Sequence, residues 1–87
     1  MDLEAKVDAL LEAAANLAVE IRREDLAGHG GGLCKIGRRW VLFVDVAADV
    51  VTQYERILRD LAQFPDIDNV YLSPELREDI DRMQRDG

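Results

Sequence analysis

The residues with the most chemical potential stand together in a glycine-rich stretch between Gly28 and Lys35. His29 followed by three glycines matches the HGGG motif, in which backbone N–H groups stabilise the oxyanion of ester hydrolysis. The motif lacks its partners, because the chain has no G-x-S-x-G sequence and its only serine, Ser73, stands at a predicted helix start. We therefore interpret the stretch as a glycine loop and predict no esterase.

The same loop can also cradle an anion, because consecutive backbone N–H groups in glycine-rich turns form concave anion-binding nests. A Walker A phosphate loop is excluded, since Lys35 is followed by Ile36 where that motif needs a serine or threonine. Arginines near a predicted hairpin turn supply positive charge. We keep a small-ligand or anion-binding domain as the alternative function. Its candidate residues are His29, Gly30, Gly31, Gly32, Arg38 and Arg39.

The remaining reactive side chains have ordinary structural interpretations. Cys34 is the only cysteine, so neither an intrachain disulfide nor a cysteine-rich zinc site can form. Its place on an apolar strand predicts a buried thiol with little reactivity. The aspartates after the third strand and in a later turn lack the spacing of a calcium loop, and we interpret them as helix caps and turn formers. The sequence thus predicts no enzyme, no catalytic residue, no metal site and no cofactor.

Composition and charge limit the classes of partner. The chain has 87 residues, enough for one domain spanning 1–87, and 48% of them are hydrophobic, which argues against disorder. Its formal net charge of −7 disfavours binding to nucleic acid or to an anionic membrane. The longest apolar run, Trp40–Val44, is too short to span a bilayer. We expect a cytoplasmic protein whose partners are itself and another protein.

Hydrophobic periodicity predicts three helices and four strands. Apolar residues at helical spacing follow two capping aspartates, Asp2 and Asp49. The last helix begins with Ser73-Pro74-Glu75, in which the Ser73 hydroxyl is expected to cap the helix. The predicted elements are, in order, a helix over residues 3–17, strands at 19–22, 33–36 and 39–46, a helix over 50–64, a strand at 70–72 and a helix over 74–85.

A hairpin turn at Gly37-Arg38 sets the register of the second and third strands. Its two residues, with glycine first, fit a type II′ turn. Directly paired residues share a face, so this register places Trp40, Leu42 and Val44 together on one face of the third strand. The other face is apolar as well, and both need cover. We expect a second copy of the chain to close one face or edge as a homodimer, with these three residues as the interface.

The predicted fold is α+β, with the element order α-β-β-β-α-β-α. An antiparallel three-stranded meander is followed by a helical crossover and a short parallel strand, and the helices pack on this mixed sheet. Element order, small size and acidity resemble those of small acidic type III secretion chaperones, and the resemblance implies a dimer that binds other polypeptides. The strand pair leading into a helix also resembles zinc peptidases related to phage-repressor regulators. Their helix carries H-E-x-x-H where this chain has residues 53–57 without histidine, so no zinc site is implied.

The leading functional hypothesis is a non-enzymatic interaction module. Such a module would be a homodimeric adaptor, regulatory or chaperone-like subunit that binds a protein partner through an apolar face or a sheet edge. It is favoured by the lack of a reactive motif and by the excess of apolar residues on the third strand.

Overall fold

Three helices lie on one side of a three-stranded mixed sheet. A computed structural model describes residues 1–86 and confirms the α+β class. The helices are α1 (Leu3–Asn16), α2 (Val50–Ala62) and α3 (Pro74–Asp86), with a short 3-10 turn (Ile67–Asn69) before α3. The strands are β1 (Glu20–Glu24), β2 (Gly31–Ile36) and β3 (Arg39–Asp45). Within residues 1–86, no helix combines the length and the apolar character needed to cross a membrane.

The strand order is β1-β3-β2, with β2 antiparallel and β1 parallel to β3. The predicted antiparallel meander is therefore wrong for β1, which pairs with β3 instead of β2. The physical reason is that β3 is the most apolar strand and gains most from the central position, whereas the charged β1 suits a sheet edge. The loop of residues 25–30 consequently crosses the end of β3 to reach β2.

The hairpin between β2 and β3 confirms the predicted register. Ile36 pairs with Arg39 next to the turn, and Leu33 pairs with Leu42 farther along. Gly37 has a φ of 63°, and a positive φ at the first turn position fits the predicted type II′ turn. A two-residue turn sets all the later pairs of a hairpin, which is why the sequence suffices to predict them.

The predicted fourth strand, residues 70–72, does not join the sheet of the described chain. The place beside β3 that it was expected to take is occupied by β1. Val70 keeps an extended backbone, with φ −109° and ψ 147°, and Leu72 is buried in the core. The segment therefore works as an extended connector into α3, and Tyr71 projects from it with 83% of its surface exposed.

One face of the sheet and the three helices share the hydrophobic core. Leu42 and Val44 of β3 are fully buried and pack in one cluster with residues of all three helices. Trp40 lies at the margin of this cluster, edge-on to Phe64, with the ring centroids 5.4 Å apart. Burial of a large aliphatic side chain contributes about 1.5–3 kcal/mol, so this one-sided core is the main source of stability.

A polar cluster joins the three helices. Asp79 of α3 accepts hydrogen bonds from the Lys6 ammonium of α1, at 2.9 Å, and from the Tyr54 hydroxyl of α2. Burial opposes ionisation of Asp79, but the two donors outweigh it and lower the pKa of its carboxyl group. The hydrogen bond from Lys6 to Asp79 raises the pKa of Lys6. Burial, together with the hydrogen bond that Tyr54 itself donates to Asp79, raises the pKa of Tyr54. These contacts hold the helices in one mutual orientation.

Two of the three predicted helix caps form. Asp2 and Asp49 each accept a hydrogen bond from a first-turn backbone N–H, at 2.8 Å in both cases. Ser73 occupies the predicted cap position, since its carbonyl accepts the first helical hydrogen bond from Arg77 at 2.9 Å. The predicted role of its hydroxyl is wrong, because the Ser73 oxygen is buried without a hydrogen-bond partner in residues 1–86.

Helix α1 ends in a Schellman motif built without glycine. The N–H of Val19 donates to the carbonyl of Ala14, and the N–H of Ala18 donates to Ala15, both at 3.0 Å. This arrangement holds Ala18 in the left-handed region, with a φ of 64°. The side chain strains that conformation by about 1–2 kcal/mol.

Ala18→Gly is expected to stabilise the protein by about 0.5–1 kcal/mol, because the relief of left-handed strain exceeds the added entropy of the unfolded chain. Urea denaturation of variant and wild type measures the difference. Ala15→Gly, an exposed position in the same helix, is the control and should destabilise by about 0.5–1 kcal/mol. A similar loss of stability in both variants would contradict the strain at Ala18.

Candidate functional site

The sheet face opposite the helices has no covering layer in the part of the chain that the structure describes. Its side chains come from alternate positions of the three strands, which the observed pairing aligns. Ile36 is 50% exposed and Phe43 is half-buried, and neither belongs to the core cluster on the other face. We call this surface the open face and define it by Glu20, Arg22, Glu24, Cys34, Ile36, Arg39, Val41 and Phe43.

A shallow basin of about 540 Å³ occupies the β2 half of the open face. Phe43 forms part of its lining, and Leu26 and Cys34 add further apolar surface. Gly31 and Gly32 also line the basin and contribute backbone only. The Arg22 guanidinium lies 5.8 Å from the Phe43 ring centroid, within cation–π range. The basin is therefore apolar, with a cation at its margin.

The β1 half of the open face is charged but balanced. Arg22 forms an ion pair with Glu20, and the Arg39 guanidinium lies 3.2 Å from the same carboxylate. The hydrogen bond from Arg22, more than any other contact, lowers the pKa of Glu20. Glu20 and Glu24 balance Arg22 and Arg39, so the open face is neutral on a chain whose net charge is −7. Val41 lies between the charged and apolar halves and is 1% exposed.

The loop that lines the basin is fastened by Asp45, the last residue of β3. Its carboxylate accepts hydrogen bonds from the N–H groups of Leu26 at 3.0 Å, Gly30 at 2.9 Å and Ala47 at 2.9 Å. Asp45 is 0% exposed. Burial opposes its ionisation, but the backbone donors, with Gly30 foremost, outweigh burial and lower the pKa of Asp45. The carboxylate thus ties the loop to the end of the strand that the loop crosses.

Gly28 and Gly30 of this loop adopt positive φ angles, which glycine allows without strain. Ala27 and Gly28 have φ values of 60° and 83°, and the N–H of His29 donates to the carbonyl of Leu26 at 3.2 Å. Positive φ at both central positions identifies a type I′ turn. Gly30 follows with a φ of 91° and turns its N–H toward the buried carboxylate. The loop is an anion nest whose anion belongs to the chain itself.

The residues predicted to bind a ligand lie in two separate places. His29, Gly30, Gly31 and Gly32 lie where β2 begins, and the pair Arg38 and Arg39 lies at the turn where β2 ends. Along a strand the two ends of β2 are about 17 Å apart. The predicted site is therefore not assembled as one, because the register that the sequence correctly gives also sends its two halves to opposite ends of the hairpin.

The predicted interface residues lie under the chain's own helices. Leu42 and Val44 belong to the buried core, and Trp40 is partly buried against Phe64. The prediction assigned the missing layer to the wrong face, since apolar side chains on both faces of β3 do not reveal which face the helices cover. Cys34 was expected to be buried and is exposed on the open face for the same reason.

Sequence reasoning missed Asp45, which positions the basin. The available signal was a single acidic residue at the end of a run of apolar strand residues.

His29 and Cys34 both line the basin, and the hydrogen bonds of residues 1–86 include none between them. The same residues contain no group of three or more His, Cys, Asp or Glu side chains placed to hold a metal ion. The open face thus offers apolar contact area flanked by ion pairs.

Gly31→Ala is expected to destabilise the protein by at least about 2 kcal/mol, because a left-handed side chain is strained and its Cβ would lie 2.1 Å from the Phe43 carbonyl oxygen. Gly28→Ala is the matched control: its φ of 83° is close to the 81° of Gly31, but a Cβ there meets nothing within 4 Å. The control should lose only about 1 kcal/mol. Equal losses in urea denaturation would contradict the close approach of β2 to Phe43.

Asp45→Asn is expected to destabilise the protein at neutral pH and to flatten the acid limb of its stability profile. The pKa of Asp45 is lower in the folded than in the unfolded chain, so its stabilisation is complete above the unfolded value of about 3.9 and disappears as the pH falls through the folded value. Denaturation between about pH 7 and pH 2 measures both effects. Asp66→Asn, an exposed aspartate, is the control. A profile for Asp45→Asn parallel to that of the wild type would contradict the role of the carboxylate.

Comparison with known proteins leaves the geometry as the basis for function. No family model matches the chain, and neither a curated protein nor a solved structure matches it significantly.

Proposed function

We propose that the chain is a non-enzymatic interaction module that pairs with a second copy of itself through the open face. One observation carries this proposal: all three helices pack on one side of the sheet, while the other side presents the Phe43 basin to solvent. A sheet face with exposed apolar side chains is stabilised when another layer covers it. A second open face supplies such a layer and has matching chemistry.

Charge supports a second copy as the occupant. The chain is strongly acidic, so most surfaces of two copies repel each other. The open face is the exception, because Glu20 and Glu24 are balanced by Arg22 and Arg39. A twofold axis brings the same patch of both copies together, and a patch with equal numbers of both charges can be complementary to itself. Face-to-face pairing also directs the acidic helices of the two copies away from each other.

The size of the open face sets the expected strength of the pair. Three strands of this length cover about 14 Å by 20 Å. That footprint is well below the roughly 800 Å² per partner that stable complexes bury. We therefore expect a weak dimer that exchanges with the monomer at micromolar concentrations. Weak pairing suits an adaptor, regulatory or chaperone-like subunit whose apolar face must become available to another protein. The exposed Cys34, which has no disulfide partner in the chain, fits the reducing conditions of the cytoplasm.

A small apolar ligand is the second candidate for the open face. The basin volume of about 540 Å³ falls within the range of small-molecule sites. Gly31 and Gly32 of the predicted ligand loop line this basin. An anion is less suited to it, because the nearby backbone donor of Gly30 already binds Asp45. The two candidates can be distinguished by mass, because a small ligand would saturate the open face without doubling the mass of the protein.

Ile36→Glu and Phe43→Glu are expected to abolish self-association, because each replaces an apolar side chain of the open face by a carboxylate that pairing would bury. Light scattering after size-exclusion chromatography at high micromolar concentration gives the mass. Val51→Glu is the matched control, since Val51 is 48% exposed on α2 and Ile36 is 50% exposed on the open face. The wild type and the control should show concentration-dependent dimers.

Phe43 is half-buried, so the Phe43→Glu variant can fail to fold. In that case Ile36→Glu, at an exposed position, still tests the interface. A wild-type chain that stays monomeric throughout the concentration series would overturn the proposed self-association. A dimer that survives Ile36→Glu and disappears with Val51→Glu would move the interface to the helices.

A further inference from the structure

A second surface lies on the opposite side of the molecule, between α1 and the start of α3. It is a groove of about 280 Å³. Ala9 and Ala13 of α1 form one wall, and Leu72, Ser73 and Leu76 form the other. Two alanines on the same helix face leave room where larger residues would fill the space. The volume is close to the lower limit of about 300 Å³ for small-molecule sites, which is enough for one or two side chains.

The connector into α3 runs beside this groove. Its first residue, Val70, has an extended backbone, and residues 70–72 do not belong to the sheet order β1-β3-β2 of the described chain. The Tyr71 side chain stands beside the groove with 83% of its surface exposed. The Ser73 hydroxyl, which also lines it, is buried without a hydrogen-bond partner within residues 1–86. The Val70 carbonyl already accepts a hydrogen bond from the Arg77 guanidinium at 3.3 Å. A segment lying beside residues 71–73 would therefore meet mainly the exposed Tyr71 side chain and the groove walls.

The helix beside the groove carries a stripe of uncompensated negative charge. Glu4, Asp8 and Glu12 follow each other at i, i+4 spacing on α1. Like charges at this spacing destabilise a helix. None of the three forms an ion pair with another side chain of the described chain. The nearby Lys6 is already held by Asp79 at 2.9 Å and Glu75 at 3.3 Å. A cationic partner could therefore form ion pairs with this stripe that the described chain itself does not supply.

The spacing of the stripe fits an extended partner. Residues four apart on a helix are separated by about 6 Å along its axis. Alternate residues of an extended chain are separated by about 6.6 Å. Basic side chains at alternate positions can therefore meet successive carboxylates, and their long apolar stems can follow the groove wall while the charged ends reach the stripe. The residues between them are directed to the other side, where small apolar side chains fit against the alanines.

We infer that this groove binds an extended segment of a partner protein in which basic residues alternate with small apolar ones. The segment lies beside residues 71–73, places an apolar side chain against Ala9 and Ala13, and directs Lys or Arg toward Asp8 and Glu12. The inference rests on the proposed function only in that the chain binds a protein partner. It is independent of the open face, which lies on the other side of the sheet.

A fluorescent peptide of alternating lysine and valine tests this site by anisotropy, with an alternating glutamate and valine peptide as the charge control. The lysine peptide should bind saturably to the full chain below about 1 mM, and the glutamate peptide should not bind. Ala9→Leu should weaken binding by about tenfold or more, because leucine fills the groove while preserving helix propensity. Val51→Leu is the control, since Val51 is exposed on α2, and its binding should equal that of the wild type.

Glu12→Gln should weaken binding by about two- to fivefold and reduce its dependence on salt, as expected for a rim charge. Glu55→Gln, an exposed glutamate of α2, is its control and should bind as the wild type does. The inference is overturned by absent saturable binding, by equal binding of both peptides, or by equal effects of Ala9→Leu and Val51→Leu. Repeating the titration with Ile36→Glu separates the two proposals, because a chain that cannot dimerise should still bind the peptide.

Discussion

The strand order depends on the hydrogen bonds that the buried Asp45 carboxylate accepts from the loop between β1 and β2. β1 and β2 flank β3, so the chain between them must pass over the end of the central strand. Asp45 stands at that end and binds the N–H groups of Leu26 and Gly30. A buried carboxylate without partners is strongly destabilising, and a turn with several positive φ values has no stability of its own. The N–H groups of the turn stabilise the buried carboxylate, and the carboxylate stabilises the turn. Together they allow the most apolar strand, β3, to occupy the centre of the sheet.

The central position of β3 explains the one-sided construction. With β1 and β2 as its neighbours, one face of β3 receives all three helices, and the polar cluster around Asp79 fixes their orientation. Residues 1–86, which the structure describes, supply no second layer, so the open face keeps Phe43 and Ile36 at the surface. The fold thereby separates its surface into a neutral apolar side and an acidic helical side. We propose that each side binds a different partner, as an adaptor would.

Turn chemistry and helix-capping preferences correctly predicted the features that depend on a few neighbouring residues. The two-residue turn at Gly37-Arg38 gave the complete β2–β3 register, and aspartates at two helix starts gave working caps. The place of β1 could not be predicted in this way, because strand order is a competition between distant segments for the centre of the sheet. The error in β1 led to the error at residues 70–72. The face that the helices cover was predicted wrongly for a different reason, because both faces of β3 are apolar. Asp45 escaped notice because its partners come from a loop whose path depends on that strand order.

We propose that the open face meets a second copy of itself. Backbone amide chemical shifts recorded over a series of protein concentrations test this pairing residue by residue. Pairing through the open face should give concentration-dependent shifts in β2, β3 and the loop around Leu26, with the helices nearly unchanged. Shifts confined to α1, α2 or α3, or no dependence on concentration up to the millimolar range, would contradict it.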